Sequence, residues 1–215
     1  MIDTVIFDLG NVLVDFRWRA FLREEVPEEI PYRILEQAVF LNPAWEEHDK
    51  GLMTETEEIW DFISAAPDYE PEIRRLYEKL DGCFEPFSYS VDWIRSLKKR
   101  GLKVYALSNW PKHVYELGKD RLTFLEDMDG YVLSYREHCS KPDPEIYLYT
   151  AQKLGVAPEE CLAVEDSTFG VLAGHRAGMT VAALKDDRFH FDQSPADYRM
   201  DRLTEILEIL KQLEQ

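Results

Sequence analysis

The stretch TVIFDLGNV, residues 4–12, decides how the rest of the chain is read. Thr4 to Phe7 form a short β-rich run without the polar alternation of a half-exposed strand. Such a run suits a strand covered on both faces, as in the interior of a parallel sheet. It stops at Asp8 and Gly10. The carboxyl ends of strands in an open α/β sheet are where ligands bind, so Asp8 is the first candidate for chemistry.

Four comparable runs lie downstream. They are Lys103 to Leu107 ending at Ser108, Tyr131 to Leu133, Cys161 to Val164 ending at Glu165 and Asp166, and Thr180 to Ala183. Helical patterns separate them. Val91 to Arg100 is stopped by Gly101, Pro144 to Leu154 by Gly155 and Thr168 to Ala177 by Gly178, while Asp201 to Leu213 carries a terminal amphipathic stripe. Strand–helix alternation predicts an α/β fold with a doubly wound parallel sheet. Between Phe16 and Ser88 the alternation fails. That stretch has helical spacing broken by prolines and predicts an all-helical insert, a cap. The expected division is a core of residues 1–15 and 89–215 and a cap of residues 16–88. Trp18, Phe21, Trp45, Trp60 and Phe62 are expected in the core of the cap.

The formal net charge of −17 disfavours nucleic acid and anionic lipid as partners. Three cysteines without a CxxC pair, and histidines without metal-binding spacing, argue against a disulfide framework or a zinc site. The N-terminal run reads as a buried strand rather than a signal peptide, and no apolar stretch is long enough to span a bilayer. A cytoplasmic setting is expected, with a small-molecule partner and a monomeric or small homo-oligomeric state.

Asp8, Ser108 and the Glu165–Asp166 pair all fall at the carboxyl ends of predicted strands, so the topology brings them to one crevice. In that order, with Ser140-Lys141-Pro142-Asp143-Pro144 between the second and the last, they resemble the four motifs of haloacid dehalogenase superfamily phosphatases. Phe7-Asp8-Leu9-Gly10-Asn11-Val12, Leu107-Ser108-Asn109 and Val164-Glu165-Asp166-Ser167 supply the other three. The DLGNV form resembles the branch that includes α-D-glucose-1-phosphate phosphatase. The resemblance implies a Rossmann-like core, a helical cap and Mg²⁺. Asp8 becomes the nucleophile that is transiently phosphorylated. Asp8, the Gly10 carbonyl and Asp166 become metal ligands, with Glu165 supporting them directly or through water. Ser108, Asn109 and Lys141 become phosphate-binding groups, with Ser108 and Lys141 assisting catalysis.

One position departs from the pattern. Most members carry a second aspartate two residues after the nucleophile, where it protonates the leaving group; here Gly10 stands there. General acid catalysis contributes about 10²–10⁴-fold. The sequence leaves three readings open: a leaving group that needs little help, another acid such as water, Asp15 or His48, or a weak or inactive relative with a binding role. Asp15 also reads as a cap or hinge residue ahead of the first cap helix. A metal-free dehalogenase is disfavoured by the adjacent Glu165 and Asp166, and a phosphomutase by the missing proton shuttle. The segment Trp45 to Gly51 resembles the cap loop that lies near the phosphate site in this branch, which makes His48 and Lys50 the expected substrate contacts; it also reads as an ordinary polar turn between two helices. Small sugar phosphates lead as substrate class.

Overall fold

The structure, a computed structural model, describes residues 2–213. Eight strands occur among them: β1 Thr4–Phe7, β2 Val14–Phe16, β3 Phe84–Pro86, β4 Lys103–Ser108, β5 Gly130–Leu133, β6 Cys161–Glu165, β7 Thr180–Leu184 and β8 Tyr198–Met200. Six form one sheet in the order β5-β4-β1-β6-β7-β8, every pair parallel. The chain runs outward from β1 through β4 and β5, then returns to the other side of β1 for β6, β7 and β8. The reversal places the switch point at β1 and β6, beside Asp8.

Both faces of the sheet are covered, as the uninterrupted apolar runs require. Val5, Phe7, Val104, Leu162 and Val164 face one buried cluster; Ile6, Leu107, Ala163 and Val181 face the other. Helices Ser90–Lys98, Glu145–Leu154 and Thr168–Arg176 lie close to their expected bounds. The C-terminal stripe begins later than expected, as a tight turn at Leu203–Glu205 followed by helix Ile206–Leu213.

The stretch between Phe16 and Ser88 is helical over most of its length, with Trp18–Glu25, Glu29–Leu35, Trp45–His48, Glu55–Ala65 and Glu70–Tyr77 as its α-helices. The expectation of no strand there needs correction. β2 and β3 pair antiparallel, matching Val14 with Pro86, Asp15 with Glu85 and Phe16 with Phe84. Three residues are too few to show a period of two, so neither strand is legible locally. This ribbon crosses the first expected cap boundary, ends two residues short of the second, and ties the ends of the insert together. Phe87 N donates to the Leu13 carbonyl at 3.1 Å and Ser90 Oγ to the same oxygen at 2.7 Å. β8 escaped the reading for the same reason.

Trp18, Phe21 and Phe62 are buried in the cap, and Trp45 is partly so. Trp60 is not: at 52% exposure it lies on the outer face of its helix. The cap's longest helix starts at a full capping box, Thr54 Oγ1 accepting from Glu57 N at 3.3 Å while Glu57 returns a carboxylate to Thr54 N at 2.8 Å. That start fixes where the preceding loop, residues 49–53, must end.

Candidate active site

β1 delivers Asp8 to the sheet edge, and its amide donates to the Val164 carbonyl of β6 at 2.9 Å. Phe7 pairs in register with Ala106 of β4 and with Val164 of β6. Ser108 and Glu165 therefore emerge on either side of Asp8, as sheet registry demands.

Lys141 comes from the loop before helix Glu145–Leu154 and reaches into the same space. Its ammonium lies 2.6 Å from Asp8 Oδ1 and 2.6 Å from Glu165 Oε1, and donates to the Leu107 carbonyl at 2.8 Å. Three acceptors match its three N–H donors. Burial works against its charge, but Asp8 and Glu165 outweigh burial and hold the Lys141 pKa above its ordinary value.

Glu165 is fully buried. Its Oε1 also accepts from the Tyr147 hydroxyl, while Oε2 has no hydrogen-bond partner. Burial pushes its pKa up to about 7, with Asp8 adding to the rise and Lys141 opposing it. The carboxylate fits only because residue 170 is glycine: a Cβ there would overlap Glu165 Cδ and both oxygens. The glycine after the fourth motif is thus a space requirement set by a charge that Lys141 needs.

Asp166, next along the chain, is also buried, and Asn11 Nδ2 donates to its Oδ2 at 2.9 Å. Asn11 adopts a left-handed φ of 55°, a conformation that asparagine tolerates better than most residues. Sequence reading did not single it out. Burial and the neighbouring Asp8 charge raise the Asp166 pKa well above its usual range. Asp8, Glu165 and Asp166 each offer an oxygen within 4.8 Å of the others. One ammonium among three carboxylates leaves two negative charges uncompensated. That deficit, with oxygen donors and an orphaned buried oxygen, fits a divalent hard cation such as Mg²⁺.

Gly10 lies beside this cluster. Its φ is outside the left-handed region, and a Cβ there would meet only Asp8 Oδ2 at 3.5 Å. Neither strain nor crowding explains its lack of a side chain.

Ser108 is buried, and its hydroxyl reaches only the Asn109 carbonyl, at 3.5 Å, leaving the group free for a stronger acceptor. Asn109 has a positioning geometry. Its Nδ2 donates to the Lys141 carbonyl at 3.0 Å, and the Lys141 amide donates to its Oδ1 at 2.9 Å. This two-point clamp holds the main chain of Lys141.

The cap side corrects the expectations for His48, Lys50 and Asp15. His48 is only 1% exposed, packed edge-on against Trp45 and Phe62 with Nε2 3.0 Å from Asp61 Oδ2. It belongs to the cap interior because its ring falls on the apolar side of the turn, so it is neither a substrate contact nor an available acid. Lys50 pairs with Glu47 at 2.7 Å on its own turn. Asp15 does not cap the following helix, which has no side-chain cap; it lies in β2 and pairs with Arg188 at 2.5 Å. The residue between His48 and Lys50 faces the core. Asp49 lies beside Asn109 and within electrostatic reach of Lys141. Sequence reading passed over it because a polar turn gives no periodic signal for which side chain points inward.

Comparison with known proteins agrees with this geometry. The sequence profile of the haloacid dehalogenase-like hydrolases matches residues 2–178. The chain is 26% identical over 225 residues to the putative pyrophosphatase PpaX of Clostridium perfringens, covering 99% of each chain. It is 42% identical to hexitol phosphatase A of Escherichia coli over 97 residues, 45% of this chain and 40% of that one. Among solved structures, a haloacid dehalogenase family enzyme from Bacteroides thetaiotaomicron, in complex with magnesium and inorganic phosphate, superposes with a TM-score of 0.68. The identity is 19%, with 88% of this chain and 98% of that chain covered. The L-2-haloacid dehalogenase of Xanthobacter autotrophicus with chloropropionic acid covalently bound gives 0.69 at 16% identity, covering 98% and 99%. The chain belongs to the haloacid dehalogenase-like hydrolase family. Fold likeness is equal for the two solved chemistries, so the choice between them rests on the side chains.

Proposed function

We propose that this chain is a Mg²⁺-dependent phosphatase of small phosphorylated metabolites, sugar phosphates foremost, acting through an aspartyl-phosphate on Asp8. The observation that carries this reading is the charge imbalance at the sheet edge, where three buried carboxylates face one ammonium. A haloacid nucleophile site has no need of that imbalance, and carboxylates this close repel strongly unless a cation joins them. The similarity to PpaX and to hexitol phosphatase A, both named for phosphate chemistry, points the same way.

In this reading Asp8 Oδ attacks phosphorus opposite the leaving oxygen. Lys141 and the Ser108 hydroxyl bind the phosphoryl oxygens, where charge stabilisation matters most. Asp8, the Gly10 carbonyl and Asp166 would hold Mg²⁺, which when bound neutralises the repulsion between the carboxylate nucleophile and the phosphate dianion. Glu165 supports the site chiefly through Lys141, since its Oε1 is already shared by Lys141 and Tyr147. Asn109 keeps Lys141 in register. We place the enzyme in the cytoplasm, a reading supported by three unpaired cysteines. Among the described residues no helix is long and apolar enough to cross a membrane.

Turnover of a panel of phosphate esters and 2-haloacids, with Mg²⁺ and with excess chelator, tests this. Phosphatase activity should vanish with chelator and with Asp8→Asn. Haloacid turnover that ignores chelator would overturn the phosphatase reading in favour of a dehalogenase. Binding of phosphate esters without any turnover would make the protein a binding relative.

A further inference from the structure

We propose that Asp49 of the cap is the proton donor to the leaving-group oxygen, filling the role that Gly10 leaves without a side chain. The proposal rests on the phosphatase reading above.

The placement of Asp49 is built, not incidental. The turn that carries it is pressed onto the core at two points. Gly51 has φ 63°, and a Cβ at that position would lie 2.5 Å from the Tyr135 carbonyl. His138 Nδ1 lies 2.9 Å from the Lys50 carbonyl. Helix Trp45–His48 ends just before Asp49, whose amide caps it by donating to the Trp45 carbonyl at 2.9 Å. Asp49 is thereby set against Asn109, the residue that clamps the Lys141 main chain, and within electrostatic reach of the Lys141 ammonium.

Its chemistry suits the task. Asp49 retains some solvent access yet is densely surrounded, as a carboxyl in a cleft is. Burial pushes its pKa up to about 7; the adjacent Asn109 side chain and the Lys141 charge oppose the rise, while Glu46 on its own helix and Glu58 from helix Glu55–Ala65 add to it. An acid with a pKa near the working pH is the most effective proton donor. The other acids weighed for the role are committed elsewhere, Asp15 to Arg188 and His48 to Asp61.

The step balances. As the Asp8–phosphorus bond forms, the ester P–O bond breaks, and its electron pair stays on the leaving oxygen, which takes the Asp49 proton and departs as the alcohol. Water then attacks phosphorus and releases Asp8. The proton lost by the water returns to Asp49, and hydrogen phosphate leaves.

The test compares wild type, Asp49→Asn and Asp49→Glu on p-nitrophenyl phosphate, acetyl phosphate and glucose 6-phosphate, in Mg²⁺, across pH 5–9. A donor matters most for the basic alkoxide. Asp49→Asn should lower kcat on glucose 6-phosphate by about 10²–10⁴-fold and on the two activated substrates by less than about tenfold. Asp49→Glu should restore part of the loss. In wild type, kcat on glucose 6-phosphate should fall as pH rises through about 7, because the active form is protonated, and Asp49→Asn should lack that limb. Urea denaturation gives a readout free of turnover. The cost of charging Asp49 in its confined place builds up between its ordinary pKa of 3.8 and about 7 and is constant above that, so the midpoint of Asp49→Asn should stand above that of wild type at pH 8 and approach it as pH falls to 5. Equal losses on all three substrates, a change confined to KM, or undiminished turnover of glucose 6-phosphate by Asp49→Asn would overturn the assignment while leaving the phosphatase reading intact. Absence of wild-type turnover on all three would overturn both.

Discussion

On the core wall of the cleft, Lys141 commits its ammonium to Asp8, Glu165 and the Leu107 carbonyl, and Glu165 is locked under Tyr147 against Gly170. On the cap wall, the corresponding layer is one short turn that carries Asp49 and is held by the backbone fit of Gly51. The core wall is a buried network in which the Lys141 ammonium and the Asp8 and Glu165 carboxylates depend on one another. The cap wall is a lever on a ribbon of two three-residue strands. A change to the buried network disturbs several charges at once, while a surface turn can be rewritten at little cost to the fold.

Mutations that strike the core wall should therefore cost most. Lys141→Ala removes the one ammonium from three carboxylates and, on the proposed reading, a hydrogen-bond donor to the phosphoryl group. We expect kcat/KM on p-nitrophenyl phosphate to fall by about 10²–10³-fold or more. Near-normal kcat/KM would remove Lys141 from the reaction. Gly170→Ala tests the same network without touching a charged group. Its methyl needs the space of the Glu165 carboxylate, and overpacking of this kind costs about 1–3 kcal/mol. Denaturation should show that loss together with at least about a tenfold drop in turnover, as Glu165 moves and Lys141 follows; a loss of stability with full activity would separate Glu165 from Lys141 positioning.

Gly51→Ala strikes the cap wall. A left-handed alanine costs about 1–2 kcal/mol, and the methyl presses on Tyr135. Lifting the turn should hurt alkyl phosphates more than aryl phosphates, the same selectivity as Asp49→Asn but weaker. A uniform loss would place the damage in cap closure as a whole. Arg188→Ala should do least. Arg188 joins Asp15 to Asp186 at the hinge ribbon, but it is half-exposed, and such pairs contribute at most about 1 kcal/mol. Turnover within about twofold of wild type is expected; a large loss would make the Asp15 pair part of the machinery.

The strand-end residues were legible because each follows a buried strand, and buried parallel strands announce themselves as apolar runs. Gly10 was legible as an absence. Its backbone was not: only the structure shows an ordinary φ and open space beside it, so its conformation does not require glycine. His48 and Lys50 were chosen for their chemistry, yet the turn directs His48 into the cap and leaves Lys50 on Glu47. Which of three consecutive polar residues points inward depends on where a one-turn helix is set down, and that is fixed by contacts with Tyr135 and His138, more than 80 residues away in the chain.

By itself the sequence determined the parallel sheet, the helical insert and the carboxylate, serine and lysine that meet at its edge, since hydrophobic run length and strand-end polarity are local properties that survive in one dimension. Only the tertiary structure decided that Glu165 lies under Gly170 to hold Lys141, that Asn11 braces Asp166 and Asn109 clamps Lys141, and that Asp49 rather than its neighbours faces the cleft. Each of these depends on distance between segments remote in sequence, and charges acquire their roles from the groups that packing brings within a few ångströms of them.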